Sequence, residues 1–209
     1  MMRSSDLSRF PTLEFEKTLW NSGFSHIAGI DEAGRGAWAG PVCAAVVILP
    51  PDPSVARTLN RVRDSKQMTP LERQAWAPRI QEAALAWSVG YASAQEIDTL
   101  GIVRATKLAA SRAINSLSLI PNYLLTDYLL FRDLDLPQTA LVKGDQRSLS
   151  VAAASVLAKT TRDALMRELD GKHPGYCFAR HKGYGTRIHR EALRSLGPCA
   201  EHRKSFAIR

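Results

Sequence analysis

The sequence predicts an α/β fold: a mixed sheet whose short strands alternate with helices. Three observations predict it. Apolar residues run into and out of the glycine-rich stretch Gly29 to Val42, which reads as strand, turn, strand. Two later stretches, Tyr123-Leu124-Leu125-Thr126 and Ala140-Leu141-Val142, are short apolar runs of the kind that form buried strands. Apolar residues at helical spacing fill the segments between and after them, so strands and helices alternate along one chain. With 209 residues and 45% hydrophobic content, the chain is expected to form a single domain over residues 13–209. Residues 1–12 read as a flexible lead-in.

The elements follow in turn. Leu13, Glu14, Phe15, Glu16, Leu19 and Trp20 predict a short amphipathic helix ending at Gly23. Ile27, Ala28 and Ile30 start the hairpin, Val42 and the run Ala44 to Leu49 finish it, and the prolines at 50, 51 and 53 stop the second strand. Thr69-Pro70-Leu71-Glu72 has the form of a capping box, with Trp76, Ile80 and Ala84 carrying the helix on. Leu85 to Ser93 reads as a third strand. Leu100, Val103, Ala110, Ile114 and Leu117 are spaced as one helix face, ended by Pro121. The two short strands deliver Asp127 and Lys143-Gly144-Asp145. A helix then runs through Val151, Ser155, Ala158, Leu165 and Leu169, and its small residues Ala152 to Ser155 suit a close approach to the sheet. Thr186 opens the last helix and Gly197-Pro198 closes it.

The formal net charge of +8 favours a polyanionic partner. Three cysteines without metal spacing fit a reducing cytoplasm, and the lack of an apolar run of about 18 residues argues against a membrane partner. The histidines lack metal-ligand spacing. His26 and His173 read as structural, His181 as the one candidate site residue, and His202-Arg203-Lys204 as a solvated tail.

The chemistry lies in acids at equivalent places: Asp31 with Glu32, Asp127 and Asp145 each follow an apolar strand. Successive strand residues face opposite ways, so Asp31 and Glu32 share a face only if the backbone turns between them, a turn expected from the adjoining glycines. Arg35 brings a cation to the pair. Converging carboxylates repel one another and suit hard divalent cations, Mg2+ or Mn2+, as a pair about 4 Å apart acting on a phosphodiester. Groups suited to phosphate surround them: Asp64-Ser65-Lys66, Lys143, Lys159, and the run His181-Lys182-Gly183-Tyr184-Gly185-Thr186. Thr186 would offer a helix start to an anion and Tyr184 a ring to a sugar or base. A P-loop hydrolase is excluded because no Gly-x-x-x-x-Gly-Lys-Ser/Thr occurs. A pure RNA/DNA-binding protein remains the alternative, though it gains nothing from acids facing phosphates.

Gly29 to Val42, Asp64-Ser65-Lys66, Lys143-Gly144-Asp145, Ala153 to Lys159 with Arg162-Asp163, and His181 to Thr186 together resemble bacterial ribonuclease HII, in the family's order, from about residue 13 to Phe206. The resemblance implies a ribonuclease H-like fold: a five-stranded mixed sheet flanked by helices, with a small helical C-terminal, substrate-binding part over about residues 165–209. It implies cleavage of RNA in RNA/DNA hybrids and incision 5′ of single ribonucleotides in duplex DNA, leaving 3′-hydroxyl and 5′-phosphate ends. By position, Asp31, Glu32, Asp127 and Asp145 match the metal-binding acids. Gly34-Arg35-Gly36 matches the loop that senses the ribose 2′-hydroxyl, and Tyr184 the aromatic that packs on the neighbouring sugar. Ribonuclease HIII carries an extra N-terminal domain, for which too few residues precede Asp31, and type 1 enzymes have another motif order. The chain departs from the family pattern at Ala37-Trp38, where Pro-Leu is expected, and at Tyr128, where a small residue is expected. A monomer is expected.

Overall fold

The computed structural model describes residues 10–131 and 134–206. Its centre is a five-stranded sheet in the order β3-β2-β1-β4-β5. Strands β1 (Ile27–Ala33) and β2 (Val42–Ile48) form the expected antiparallel hairpin, with Ile30 opposite Val46, and β3 (Ala86–Ala92) pairs antiparallel with β2. On the other side β4 (Tyr123–Asp127) and β5 (Gln138–Leu141) run parallel to β1. The mixed sheet flanked by helices is the fold class the sequence predicted.

Alternation along β2 divides the core in two. Cys43, Ala45 and Val47 face α3 (Pro70–Ala83) and α6 (Leu149–Lys172), while Ala44, Val46 and Ile48 face α5 (Ile102–Asn115). The run of small residues in α6 does bring it against the sheet. A Cβ on Gly29 would stand 2.2 Å from the Ser150 carbonyl carbon, so only glycine fits there. This contact sets the height of α6 over β1, and through it the position of Ser155. Thr69 and Glu72 form the anticipated capping box of α3.

The sequence reading needs three corrections here. The single helix face drawn through Leu100 and Val103 is two helices, α4 (Ala94–Leu100) and α5, broken at Gly101 with φ 76°. Leu100 and Val103 are exposed, and the buried face of α5 is instead Ala105, Ala109, Ala110, Ala113 and Ile114. Val142 lies outside β5 and is exposed. Of the lead-in expected to be flexible, residues 1–9 fall outside the described residues, but Thr12 is tied down. Its amide donates to the Arg147 carbonyl at 3.1 Å, and the Leu149 amide donates to its carbonyl at 2.9 Å. Behind it, Glu16 of α1 (Glu14–Asn21) is buried and accepts hydrogen bonds from the Ser148 hydroxyl and from both the amide and hydroxyl of Ser150. Two short helices, α7 (Phe178–His181) and α8 (Arg187–Leu196), follow α6; α2 (Val55–Thr58) is a single turn after the hairpin. Among the described residues no helix is long and apolar enough to cross a membrane.

Candidate active site

Parallel pairing of β1 with β4 puts Ile30 beside Thr126, so Asp31 and Asp127 leave the sheet side by side. Asp145 sits in the 3₁₀ turn Gly144–Gln146 that follows β5. That turn is fastened to β4, because the Gly144 amide donates to Asp127 Oδ1 at 2.8 Å. Asp31 and Asp145 are buried, and Glu32 and Asp127 half-buried. The four acids therefore meet at one end of the sheet.

The backbone does not turn between Asp31 and Glu32 as expected. Strand β1 stays extended through Ala33, so the two side chains leave on opposite faces. Asp31 faces α6, with the Ser155 hydroxyl as a hydrogen-bond partner. Glu32 lines the narrow cleft under α5 with Asp127, Thr106 and Ala110, and accepts from Arg35 Nη1 at 3.1 Å. The pair thus straddles the sheet edge.

Asp64 and Ser65 are buried rather than presented to solvent. Asp64 accepts from the Lys66 amide at 2.9 Å and from Gln146 Nε2 at 3.2 Å, which lays a further carboxylate against Asp145. The Ser65 and Ser155 hydroxyl oxygens lie 2.8 Å apart within hydrogen-bond reach, linking this turn to α6. Lys66 keeps an exposed side chain with Nζ 3.8 Å from Asp145 Oδ2.

So many acids with so little compensating charge shift one another. Burial, then the Glu32 carboxylate, pushes Asp31 well above the usual range, against the Ser155 hydrogen bond. Burial also raises Glu32, with Arg35 opposing. Asp145 is pushed up to about 7 by burial and then by Asp64 and Asp127. On Lys66 burial acts downward, but Asp145, Asp31, Asp64 and Asp127 together raise it. Among the described residues, no three or more His, Cys, Asp or Glu side chains form a ready-made metal cage. The donor set nevertheless fits a hard divalent cation: it is all carboxylate, and charged beyond what Lys66 and Arg35 offset. Asp31, Glu32, Asp127 and Asp145 are the residues that would hold it.

A pH dependence follows. Between 3.8 and about 7 the folded metal-free protein keeps a proton on Asp145 that the unfolded chain has lost, so stability falls as pH rises through that window. A divalent cation competes with that proton and relieves the repulsion. Mg2+ is therefore expected to raise Tm clearly at pH 8 and little at pH 5, read by thermal melts with and without metal. Equal shifts at both pH values would rule out these carboxylates as the ion's site.

Beside the acids, the loop after β1 is held by two arginines with no exposed surface. Arg203 donates to the carbonyls of Gly34 (2.7 Å), Arg35 (2.8 Å) and Gly40 (2.8 and 3.0 Å). Arg162 of α6 donates to Pro41 (2.9 Å), Ala39 (3.1 Å) and Lys182 (2.9 Å). Gly34 has φ 91°, and a Cβ there would lie 1.9 Å from Arg162 Nε, so glycine is required on both counts. The Trp38 amide donates to the Gly183 carbonyl at 2.8 Å, and the face of Trp38 fills the place a Cβ on Gly185 would take. The loop and residues 183–185 are thereby one unit.

The remaining expected residues divide. Tyr184 is half-buried, with Lys159 Nζ 5.7 Å and Arg162 Cζ 5.6 Å from its ring centroid. Lys159 also pairs with Asp163 at 2.7 Å. Gly36 and Lys143 are exposed. Thr186 caps α8 by accepting from the His189 amide, and Lys182 Nζ turns back onto the Ala179 carbonyl. His181 is a correction. It is buried, its Nε2 meets the Tyr176 carbonyl at 2.8 Å, its Nδ1 accepts from the Gly183 amide at 3.1 Å, and it stacks on His189 at 4.3 Å. Both nitrogens are spent on the turn that carries Tyr184, so its ring does not reach a ligand. The expected solvated tail is likewise buried at His202 and Arg203: His202 Nε2 lies 3.0 Å from His189 Nε2, and Arg203 is the loop's principal clamp. No local signal marks such an arginine, since its partners are backbone carbonyls, which every residue has.

The family model described as Ribonuclease HII matches residues 28–209. A ribonuclease HII of Synechococcus sp. (strain JA-3-3Ab) is 52% identical over 199 residues, covering 94% of this chain and 88% of that protein. One from Thermus thermophilus is 51% identical over 192 residues, covering 92% and 91%. Among solved structures, the ribonuclease HII of Archaeoglobus fulgidus, in a complex with PCNA, superposes with a TM-score of 0.74 at 27% identity, covering 88% of this chain and 96% of that one.

Proposed function

The chain belongs to the ribonuclease HII family and is a ribonuclease H, a hydrolytic endonuclease; we propose that it cuts the RNA strand of RNA/DNA hybrids and incises 5′ of single ribonucleotides embedded in duplex DNA. The observation that carries this is the meeting of Asp31, Glu32, Asp127 and Asp145 beside a glycine loop whose carbonyls are gripped by Arg203 and Arg162. The acids supply the reaction and the loop supplies the choice of sugar.

The family depends on divalent metal, and the proposed cofactor is a pair of Mg2+ or Mn2+ ions, which when bound supply an activated water and neutralise charge on the leaving 3′-oxygen. Asp31, Glu32, Asp127 and Asp145 hold that charge in place. Glu32, on the opposite face from Asp31, is kept in reach by Arg35. Cleavage leaves 3′-hydroxyl and 5′-phosphate ends. The 2′-hydroxyl distinguishes RNA from DNA, and reading it requires close backbone approach, which Gly34-Arg35-Gly36 allows and the two arginines make rigid. Tyr184, with cations over its ring, packs on the adjoining sugar. Lys66 and Lys143, both exposed, face the phosphates, and Lys159 lies beside Tyr184. The protein acts as a cytoplasmic monomer without a membrane partner.

The deciding experiment uses a labelled DNA duplex with one embedded ribonucleotide, with and without Mg2+ or Mn2+. Metal-dependent incision 5′ of the ribonucleotide, with all-DNA duplex untouched, is the expected result. Cutting only long hybrids would remove the single-ribonucleotide activity, and binding without cutting would leave an RNA/DNA-binding protein. A second expectation concerns Tyr184→Ala. It should slow incision at the single ribonucleotide about tenfold more than cleavage of a long hybrid, because only the former depends on one sugar contact. Equal losses on both substrates would remove Tyr184 from sugar recognition.

A further inference from the structure

We propose that Tyr128 is a stacking platform for a nucleotide of the bound duplex, set one residue from the carboxylate cluster; the inference rests on the nuclease reading above for its ligand. Tyr128 has φ 66°, a left-handed conformation that a bulky L-residue adopts only at a cost. Nothing local repays that cost through the ring. The residue is 71% exposed, and among the described residues its side chain makes no hydrogen bond, ion pair or ring contact. The backbone around it, by contrast, is firmly held. Its amide donates to the Leu141 carbonyl at 3.1 Å, the Leu129 amide donates back to the Asp127 carbonyl at 2.8 Å, and Leu129 and Phe131 are buried beyond it. The turn drives Leu129 into the core and leaves the ring of Tyr128 standing in solvent on a rigid mount.

The neighbouring strand repeats the arrangement. Lys143, just after β5, is also left-handed, with φ 56°, and is exposed. An aromatic face and an ammonium therefore share the rim at the ends of β4 and β5, beside Asp127 and Asp145. Flat ring plus cation is the pairing that binds nucleic acid strands without regard to sequence. A strained, exposed aromatic without structural duty is what a binding surface requires and a folding core does not.

The test measures Kd by fluorescence anisotropy of a labelled RNA/DNA hybrid, in the Asp31→Asn background so that no cleavage intervenes, together with Tm. Tyr128→Ala is expected to weaken binding about tenfold, and Tyr128→Phe to stay within about twofold of the parent. Tyr128→Gly should weaken binding as much as Tyr128→Ala while its Tm equals or exceeds the parent's, because glycine accepts the left-handed turn. A structural role would lower Tm instead. Unchanged Kd in Tyr128→Ala, or a loss in Tyr128→Phe equal to that in Tyr128→Ala, overturns the platform. If the wild-type protein binds hybrid without cutting it, the nuclease reading fails and the Kd comparison still decides Tyr128. If it binds no duplex at all, both fail.

Discussion

Asp31→Asn is expected to slow cleavage of an RNA/DNA hybrid by about 10³-fold or more while the hybrid's Kd stays the same or tightens. Asparagine keeps the size of the side chain and an oxygen able to accept the Glu32 amide, which Asp31 Oδ1 now does at 2.7 Å. What it removes is the negative charge, and with it most of the residue's hold on a divalent cation. That charge is costly in the metal-free protein, because burial and the Glu32 carboxylate raise the Asp31 pKa. A raised carboxylate pKa means stability lost as pH rises above the unfolded value, so removing the charge should raise Tm at pH 8. Lost activity in a protein of higher Tm cannot be ascribed to unfolding. Binding should not suffer either, since one fewer anion faces the phosphates. Single-turnover cleavage, anisotropy and a melt at pH 8 read the three effects. Turnover within tenfold of the wild type would take Asp31 out of the reaction.

Arg203→Ala is expected to destabilise the protein by about 4 kcal/mol or more, a fall in Tm of at least about 8 °C. The residue has no exposed surface, and its loss leaves the carbonyls of Gly34, Arg35 and Gly40 without these donors, in a space the Ala side chain does not fill. Arg203→Lys should rescue little, because a single ammonium cannot reproduce a planar fork that reaches three carbonyls at once. In variants that remain folded, KM for a single embedded ribonucleotide should rise more than kcat falls, since the acids are untouched and the loop is not. A Tm within about 2 °C of wild type would mean that Arg162 and the Trp38–Gly183 bond hold the loop without Arg203.

Features governed by local chemistry were legible in the amino-acid order. The Thr69–Glu72 capping box, the hairpin around Gly29 to Val42, the strand ending on Asp127 and the short strand just before Asp145 all follow from neighbours a few residues apart. The opposed faces of Asp31 and Glu32 were foreseeable from strand alternation alone. The neighbouring glycines suggested a turn there, but β1 continues to Ala33 because pairing reaches from Glu32 to Ala44 and from Ala33 to Cys43. Gly101 hid inside a plausible helical spacing; its positive φ breaks the helix, while the Ser93–Glu96 capping box starts α4 eight residues before it. Least legible were His202 and Arg203. A basic triplet reads as solvated because charge normally seeks water; what reverses this for Arg203 is a ring of carbonyls contributed by residues far away in the chain, and for His202 the Cys199 amide and the His189 ring.

That clamp closes over a separation of 163 residues between Gly40 and Arg203. At a synthesis rate of about 5–20 residues per second, the loop would wait about 8–30 s after its own emergence before Arg203 could reach it. The strands bearing Asp31 and Asp127 are complete well before then. A chain halted short of residue 203 would own its acids, while its loop rested on Arg162 and the Trp38–Gly183 bond alone. The acids and the last brace of the neighbouring loop are thus made at different times, because that brace comes from the far end of the described residues.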